Sequence, residues 1–347
     1  MARSAEVEQA IRRDPAGFRM LTGDRPTGPL HVGHYFGSLR NRVRLQRLGV
    51  ELFVVIADYQ VLTDRDIARA LPARVDGLLM DYLAVGIDPD RATIFVHSEV
   101  EALNQLMLPL LSLVSVAELE RNPTVKEEIA FSRQASVSGL MFTYPVHQAA
   151  DILFCKANVV PVGKDQLPHV ELTRVLARRF NERYGHGTAF FPAPDALIGE
   201  TPLLLGTDGQ KMSKSRGNSI PLSAGEDQTA ALIRRTRTDS ERVITYEPDR
   251  RPEISSLVLL AALCRGEPPQ QIAAQIGSGG AARLKAVVIE SLNEHLRPVR
   301  AARATYAGDS GEVRRILRRG IEQARDTAAD TMQRVREAMG MDYAGAG

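Results

Sequence analysis

The chain has 347 residues, enough for one large or two modest domains around a sizeable core. Forty-four Lys and Arg against 42 Asp and Glu leave a net charge of +2, which excludes a histone-like or polyanionic protein. Its two cysteines, Cys155 and Cys264, are too few and too far apart for a disulfide framework or zinc knuckle, and the longest apolar run, residues 257–264, is far below the ~20 residues of a bilayer span.

Residues 1–16 are polar, lack the apolar stretch of a secretory signal, and predict at most a short helix, so the expected protein is soluble and cytoplasmic. Residues 17–22 read as a buried strand, ended by the turn chemistry of Gly23-Asp24-Arg25-Pro26-Thr27-Gly28-Pro29. Apolar positions at Tyr35, Leu39, Val43, Leu45 and Leu48 predict a helix over 31–48, stopped at Gly49. Residues 52–56 (Leu-Phe-Val-Val-Ile) form the continuous apolar run of a central parallel strand. A helix over 67–85 closes at Gly86, and 92–96 is another buried strand. This alternation predicts an α/β fold with a doubly wound, parallel, Rossmann-type sheet.

Further on, 99–119 reads as a helix and 121–138 as polar connecting chain. Pro145 is expected to open a helix running to about Cys155, because proline is tolerated in a first turn. A strand at 159–162, a helix over 166–183 and a Gly/Pro-rich stretch over 185–217 follow. Beyond about Leu222 the β-branched runs disappear, and helical periodicity dominates at 228–238, 253–264, 282–304 and 312–339. The expected plan is a sheet domain over 17–222, with a connective segment at about 99–150 and a loop at 206–218. An all-helical domain over 223–304 follows, then a terminal helix within 305–347 packed back on the sheet domain. Charge is uneven across it. Residues 231–347 hold 19 Arg and Lys against 15 Asp and Glu, and between Arg297 and Arg325 eight Arg face only Asp309, Glu312 and Glu322. Such a basic stripe either meets phosphates or is a solvated helix face.

Three constellations can carry chemistry. Pro26-Thr27-Gly28-Pro29-Leu30-His31-Val32-Gly33-His34 lies where the first strand hands over to the first helix. Ligands of open α/β sheets bind there, where strand ends form a crevice and a helix start offers free N–H groups. His31 and His34, three apart, share one helix face. The second is Lys211-Met212-Ser213-Lys214-Ser215, flanked by Gly206, Gly209 and Gly217. Two cations and two hydroxyls on a flexible loop suit phosphoryl or nucleotidyl transfer, in which charge builds on phosphate oxygens. The third is Tyr144-Pro-Val-His-Gln148-Ala-Ala-Asp151, followed by Val159-Val160-Pro161-Val162-Gly163-Lys164-Asp165-Gln166. Tyr144, Gln148 and Asp151 fall on neighbouring helical turns and can converge on one ligand.

His-Val-Gly-His at 31–34 resembles the HIGH signature, and Lys-Met-Ser-Lys-Ser at 211–215 matches the KMSKS signature, of class I aminoacyl-tRNA synthetases. Their order and separation resemble the small subclass for tyrosine and tryptophan. The third constellation resembles the amino-acid pocket of tryptophanyl-tRNA synthetases. Together the similarities run from about Phe18 to Ser219 and more loosely through the helical tail. Arg25 stands where glutamine is usual, Gln60 for a histidine, Gln148 for a methionine and Cys155 for a frequent aromatic; these departures resemble the divergent second bacterial type.

The resemblance implies an enzyme that joins L-tryptophan to AMP from Mg²⁺·ATP, releases pyrophosphate and acylates tRNA(Trp), as a homodimer with no membrane partner and no protein-ligated metal. Catalysis would fall to His31, His34, Lys211, Ser213 and Lys214. ATP would be held by Arg25, Pro26, Thr27, Gly33, His34, Gly163, Lys164, Asp165 and the loop Lys211, Met212, Ser213, Lys214 and Ser215. Tryptophan would be held by Leu21, Tyr144, Gln148, Asp151, Val160, Val162 and Gln166. An indole offers one polar handle, an N–H that can only donate, and a desolvated Asp151 carboxylate is its matching acceptor. A tyrosine hydroxyl could donate there too, so the residues alone leave a tyrosyl enzyme open, and a non-catalytic tryptophan- or RNA-binding paralogue beside it.

Overall fold

A computed structural model describes residues 2–63, 70–123, 125–126, 138–163, 166–198, 204–214 and 216–343. Five short runs build one parallel sheet: β1 (Arg19–Asp24), β2 (Glu51–Ile56), β3 (Ala92–Val96), β4 (Val159–Val162) and β5 (Asp195–Ile198), in the order β3-β2-β1-β4-β5. The strand order reverses between β1 and β4, which opens a crevice at their carboxyl ends. Residues alternate across the sheet as the pleat requires. Met20, Leu52, Val54, Ile94 and Val159 join one core, while Leu21, Phe53, Val55, Phe95 and Val160 join another on the opposite face.

α1 (Ala2–Arg13) is more than a fraying tail: Val7 and Ile11 are buried, and Ser4 bonds the edge strand β5 through Ala196 O (3.2 Å) and Ile198 N (3.1 Å). The helix expected over 31–48 forms as α2 (Val32–His34), a π-helical turn (Tyr35–Leu39) and α3 (Arg40–Leu48), ending in the left-handed cap Gly49. α4 (Leu71–Ala84) covers the described part of the helix expected from 67. The single helix expected over 99–119 is two, α5 (Glu101–Leu111) and α6 (Val116–Arg121), because Ser115 and Glu118 form a capping box that restarts the chain. α7 (Gly139–Phe154) begins before Pro145 rather than at it. Ser138 caps it by accepting from Met141 N at 3.1 Å, and Pro145 sits inside the helix. Most of the polar stretch expected over 121–138 lies outside the described residues. α8 (Leu167–Tyr184) follows β4.

The elements after residue 225 are helices, joined by irregular chain: α9 (Glu226–Arg235), α10 (Pro252–Arg265), α11 (Pro269–Ile276), α12 (Gly280–Gly308) and α13 (Ser310–Ala338). α13 crosses the sheet edge. Val313 and Ile316 in its first half join the first core; Ala324, Ala328, Met332 and Val335 in its second half join the other. Gly320, at the crossing, lies so close to β3 that a Cβ there would overlap the Ile94 carbonyl oxygen. The basic stripe is mostly fastening. Arg303 bonds Asp81 (2.7 Å), Arg319 bonds Asp90 (2.7 Å) and Pro89 O, and Arg325 bonds Glu99. Arg300 reaches Ala224 O and Thr229, while Arg297 and Arg315 pair with Glu294 and Glu312. Arg314 and Arg318 are exposed. Among the described residues no helix is long and apolar enough to cross a membrane.

Candidate active site

A cavity of about 640 Å³ opens at the β1/β4 switch point. Strand periodicity puts Leu21 of β1 and Val160 and Val162 of β4 on its wall. Helical periodicity puts Tyr144, Gln148 and Asp151 of α7 opposite them, and Gly163, Gln166, Arg25 and Gln60 complete the rim. All seven residues expected to hold the amino acid therefore line one cavity. Asp151 is 3% exposed at its side chain, a desolvated acceptor beside apolar walls. The Tyr144 hydroxyl lies 3.2 Å from His169 Nε2.

Asp24, at the end of β1, lines the same cavity. It accepts from Arg42 at 2.7 Å and from the Tyr82 hydroxyl at 2.8 Å. Burial alone would raise its carboxyl, but the Arg42 guanidinium, with His34 and Tyr82, holds it below the usual carboxylate range. Neither Asp24 nor Arg42 was expected here. The signal was present, since Asp24 closes the first strand on the side where such sheets bind ligands.

His31 and His34 form a reciprocal cap: His34 N donates to His31 Nδ1 (3.4 Å) and His31 N donates to His34 Nδ1 (3.2 Å). Both Nδ1 atoms are therefore acceptors, and each neutral ring carries its proton on Nε2. Burial, then the other imidazole and the Lys214 ammonium, push His31 down to about 3. Burial likewise takes His34 to about 4 against the pull of Asp24. The rings lie 3.6 Å apart between centroids. Gly33 makes this possible, since a Cβ there would sit 2.9 Å from His31 Nδ1.

The Lys-Met-Ser-Lys loop is folded against this segment. Asn218 ties it internally, donating to Asp208 (2.8 Å) and Lys211 O (3.2 Å) and accepting from Ser213 N (2.9 Å). The chain beyond it pairs with the first motif through Val32 N to Ile220 O (3.0 Å) and Leu222 N to Leu30 O (2.9 Å). Lys214 approaches Arg25 O at 3.5 Å and lines a second cavity of about 350 Å³ with Thr27, Gly28, Arg74, Asp81 and Arg303. Burial lowers its ammonium pKa, with Asp24 and Asp81 opposing.

Other expected residues lie elsewhere. Met212 turns into the core, 6% exposed and against Gly33, because an apolar side chain in a polar loop takes the buried side. Lys211 is exposed and lines neither cavity; nor do Pro26, Ser213, His31 or His34. Lys164, Asp165 and Ser215 lie outside the described residues. Two histidines not expected to have a role do meet the site. His97, on the turn after β3, and His147 of α7 are buried beside Asp151. With Asp151 they form, among the described residues, one group of three donors close enough to hold a metal ion.

The chain matches the family described as tRNA synthetases class I (W and Y) over residues 14–297. It is 42% identical to a tryptophan–tRNA ligase of Clostridium longisporum over 93% of this chain and 97% of that one, and 41% identical to one of Streptococcus pyogenes over 93% and 98%. In structure it is similar to the tryptophanyl-tRNA synthetase of Campylobacter jejuni complexed with ADP and tryptophan. That likeness has a TM-score of 0.80 at 30% identity, covering 93% of this chain and 99% of that one.

Proposed function

The chain belongs to the class I tRNA synthetases of the tryptophan and tyrosine branch, and on that premise we propose the reaction its crevice carries out. It is an ATP-dependent ligation of L-tryptophan to tRNA(Trp). The observation that carries tryptophan over tyrosine is the likeness to tryptophan–tRNA ligases along nearly the whole chain; the buried Asp151 carboxylate facing a cavity walled by Leu21, Val160 and Val162 supplies the acceptor that reading needs. A flat apolar ring fits between those walls, and its single N–H reaches the one anionic acceptor on α7.

Tyr144 and Gln166 line the same cavity and are suited to the ammonium and carboxylate of the amino acid. ATP enters as its Mg²⁺ complex, with its phosphates over the His31–His34 turn and toward Lys214. The amino acid carboxylate attacks the α-phosphate, the bond to the β-phosphate breaks, and pyrophosphate leaves with the charge that Lys214 offsets. A terminal ribose hydroxyl of the tRNA then attacks the acyl carbon and AMP leaves. No enzyme nucleophile takes part, so the rate comes from positioning and from cations placed where charge develops. The neutral imidazoles contribute Nε2–H donors rather than positive charge.

Cytoplasmic location and a homodimer belong to the same reading. Exposed Leu108 of α5 and Val116 of α6, 71% and 64% accessible, support a partner surface on the connective segment. The helices over 223–304 are assigned to the tRNA side. ATP–pyrophosphate exchange driven by each amino acid in turn tests the assignment. Exchange with tryptophan alone is expected, whereas exchange driven by tyrosine, or by none, overturns it.

A further inference from the structure

The Asp151 carboxylate is not alone in its pocket. Its Oδ1 lies 2.7 Å from Nε2 of His97, whose ring is 0% exposed. That contact is close but off the axis of a full hydrogen bond, and both atoms are sealed from solvent with no other partner. A second imidazole, His147, lies 4.7 Å from His97 between ring centroids. Asn104 fixes its proton. The Asn104 amide nitrogen donates to His97 O (3.0 Å) and Val100 O (2.9 Å), so its oxygen faces His147 Nε2 at 2.8 Å and must accept. His147 is thus Nε2-protonated, and burial lowers its pKa against the pull of Asp151. It therefore adds no positive charge beside the carboxylate.

With Oδ1 taken up by His97, the atom that Asp151 can offer to the cavity is Oδ2. We propose that His97 is a positioning residue that pins Asp151 through Oδ1, aims Oδ2 at the ring N–H of the bound amino acid, and thereby makes the pocket select for ring N–H donors. This rests on the tryptophan reading and names the side chain that sharpens it. A carboxylate free to rotate about its last torsion would meet the ligand in several orientations; one gripped by an imidazole meets it in one. His97 stands at the carboxyl end of β3, so the sheet fixes the imidazole while α7 carries the carboxylate to it. The close, misaligned contact fits a small rotation that completes the bond when the ring N–H arrives.

The chain contains no tryptophan of its own, so the fluorescence of bound tryptophan, excited on the red edge of indole absorption, reports the pocket directly. Titration of the full-length protein with tryptophan and with its benzothiophene analogue, which lacks the N–H, tests the proposal in wild type, His97→Leu and His97→Gln. His97→Leu is expected to weaken tryptophan binding about tenfold or more, as for a lost bond to a charged group. It should leave analogue binding within about twofold, because no N–H is there to be aimed. His97→Gln, which retains an N–H donor, should recover most of the loss. Asp151→Asn combined with His97→Leu should cost no more than Asp151→Asn alone.

Equal losses for both ligands, or full additivity in the double variant, would assign His97 to packing and overturn the proposal. If His97→Leu does not fold, the same ligand pair on His97→Gln and His97→Asn gives the comparison. Loss of wild-type tryptophan affinity on treatment with EDTA in the absence of ATP would hand the cluster to a cation and overturn it equally. Failure of wild type to bind tryptophan at all would instead strike the parent reading of the site.

Discussion

Lys214 illustrates how a single cation is kept ready. It is half-buried between Asp24 and Asp81, near the neutral His31–His34 pair, and lines the second cavity rather than the one beneath the rings. Lys214→Ala should slow tryptophan-dependent ATP–pyrophosphate exchange by about 10²–10³, as for loss of one preorganised charge at a reacting phosphate. Tryptophan affinity, read by ligand fluorescence, should change less than twofold, since Lys214 does not line the amino-acid cavity. The histidine pair predicts a pH effect of defined sign. In the folded chain burial pushes His31 down to about 3 and His34 down to about 4, from the ordinary 6.5. As pH falls below 6.5 the unfolded chain takes up protons that the folded chain refuses, so stability drops toward pH 4, by at most about 1.4 kcal/mol per pH unit for each ring. Melting temperature measured from pH 7 to 4.5 should fall more steeply for wild type than for His31→Gln with His34→Gln. At this scale the sequence was informative where side chains recur at helix spacing, as for Tyr144, Gln148 and Asp151, while Leu21 and Val160 came from the resemblance to a known pocket. His97 and Asp24 were overlooked because each acts through a partner far along the chain, and only the sheet brings those partners together. Met212 was misplaced because a motif fixes residue types and not which of them turns inward.

Elements were legible in proportion to their apolar periodicity. The strands at 52–56 and 92–96 stand out as continuous apolar runs, and α12 and α13 as long amphipathic repeats. β5 was hidden in a Gly/Pro-rich stretch, since four residues ending in Leu197 and Ile198 carry too little pattern to read. α11 is eight residues between glycines and prolines and was lost for the same reason. α7 starts early, at the Ser138 cap, and carries Pro145 in its interior at the cost of one backbone bond, so a proline rule alone misplaces its start. The close approach of α13 to β3 at Gly320 gives a direct test. Gly320→Val should destabilise the fold by about 3 kcal/mol or more, because its side chain meets backbone that cannot move aside. Urea unfolding measures this, and a change under about 0.5 kcal/mol, the size of an ordinary surface substitution, would show that the helix can lift off the strand without penalty.

Across the whole molecule, charge does more to join parts than to decorate a surface. Asp81 is the clearest junction. Its Oδ2 accepts from Leu30 N (3.1 Å), just before the first motif, and its Oδ1 accepts from Arg303 (2.7 Å) on α12. Burial raises the Asp81 carboxyl while Arg303 opposes that rise. Arg303→Met should therefore cost roughly 3–5 kcal/mol of stability by leaving a buried carboxylate unpaired. Arg314→Glu with Arg318→Glu, on exposed α13 positions, should leave the melting temperature within a degree or two of wild type. Composition could count the arginines of the 297–325 stripe but not reveal their carboxylate and carbonyl partners, which lie up to 230 residues away. A parallel sheet was readable from strand–helix alternation, and a terminal helix lying back on the sheet domain was expected; how closely α13 crosses β3 was not, because that depends on one glycine and the carbonyl it touches.

That crossing has a consequence for how the protein is made. Translation delivers the five strands before the clasp that straddles their edge, so a nascent chain holds the outer edge of β3 bare until residues 310–338 have left the ribosome. Chaperone occupancy during synthesis should peak in that interval. Prematurely terminated products would keep their signature motifs yet lack a seal over the sheet margin, and would be expected to go to proteolysis rather than compete for tRNA.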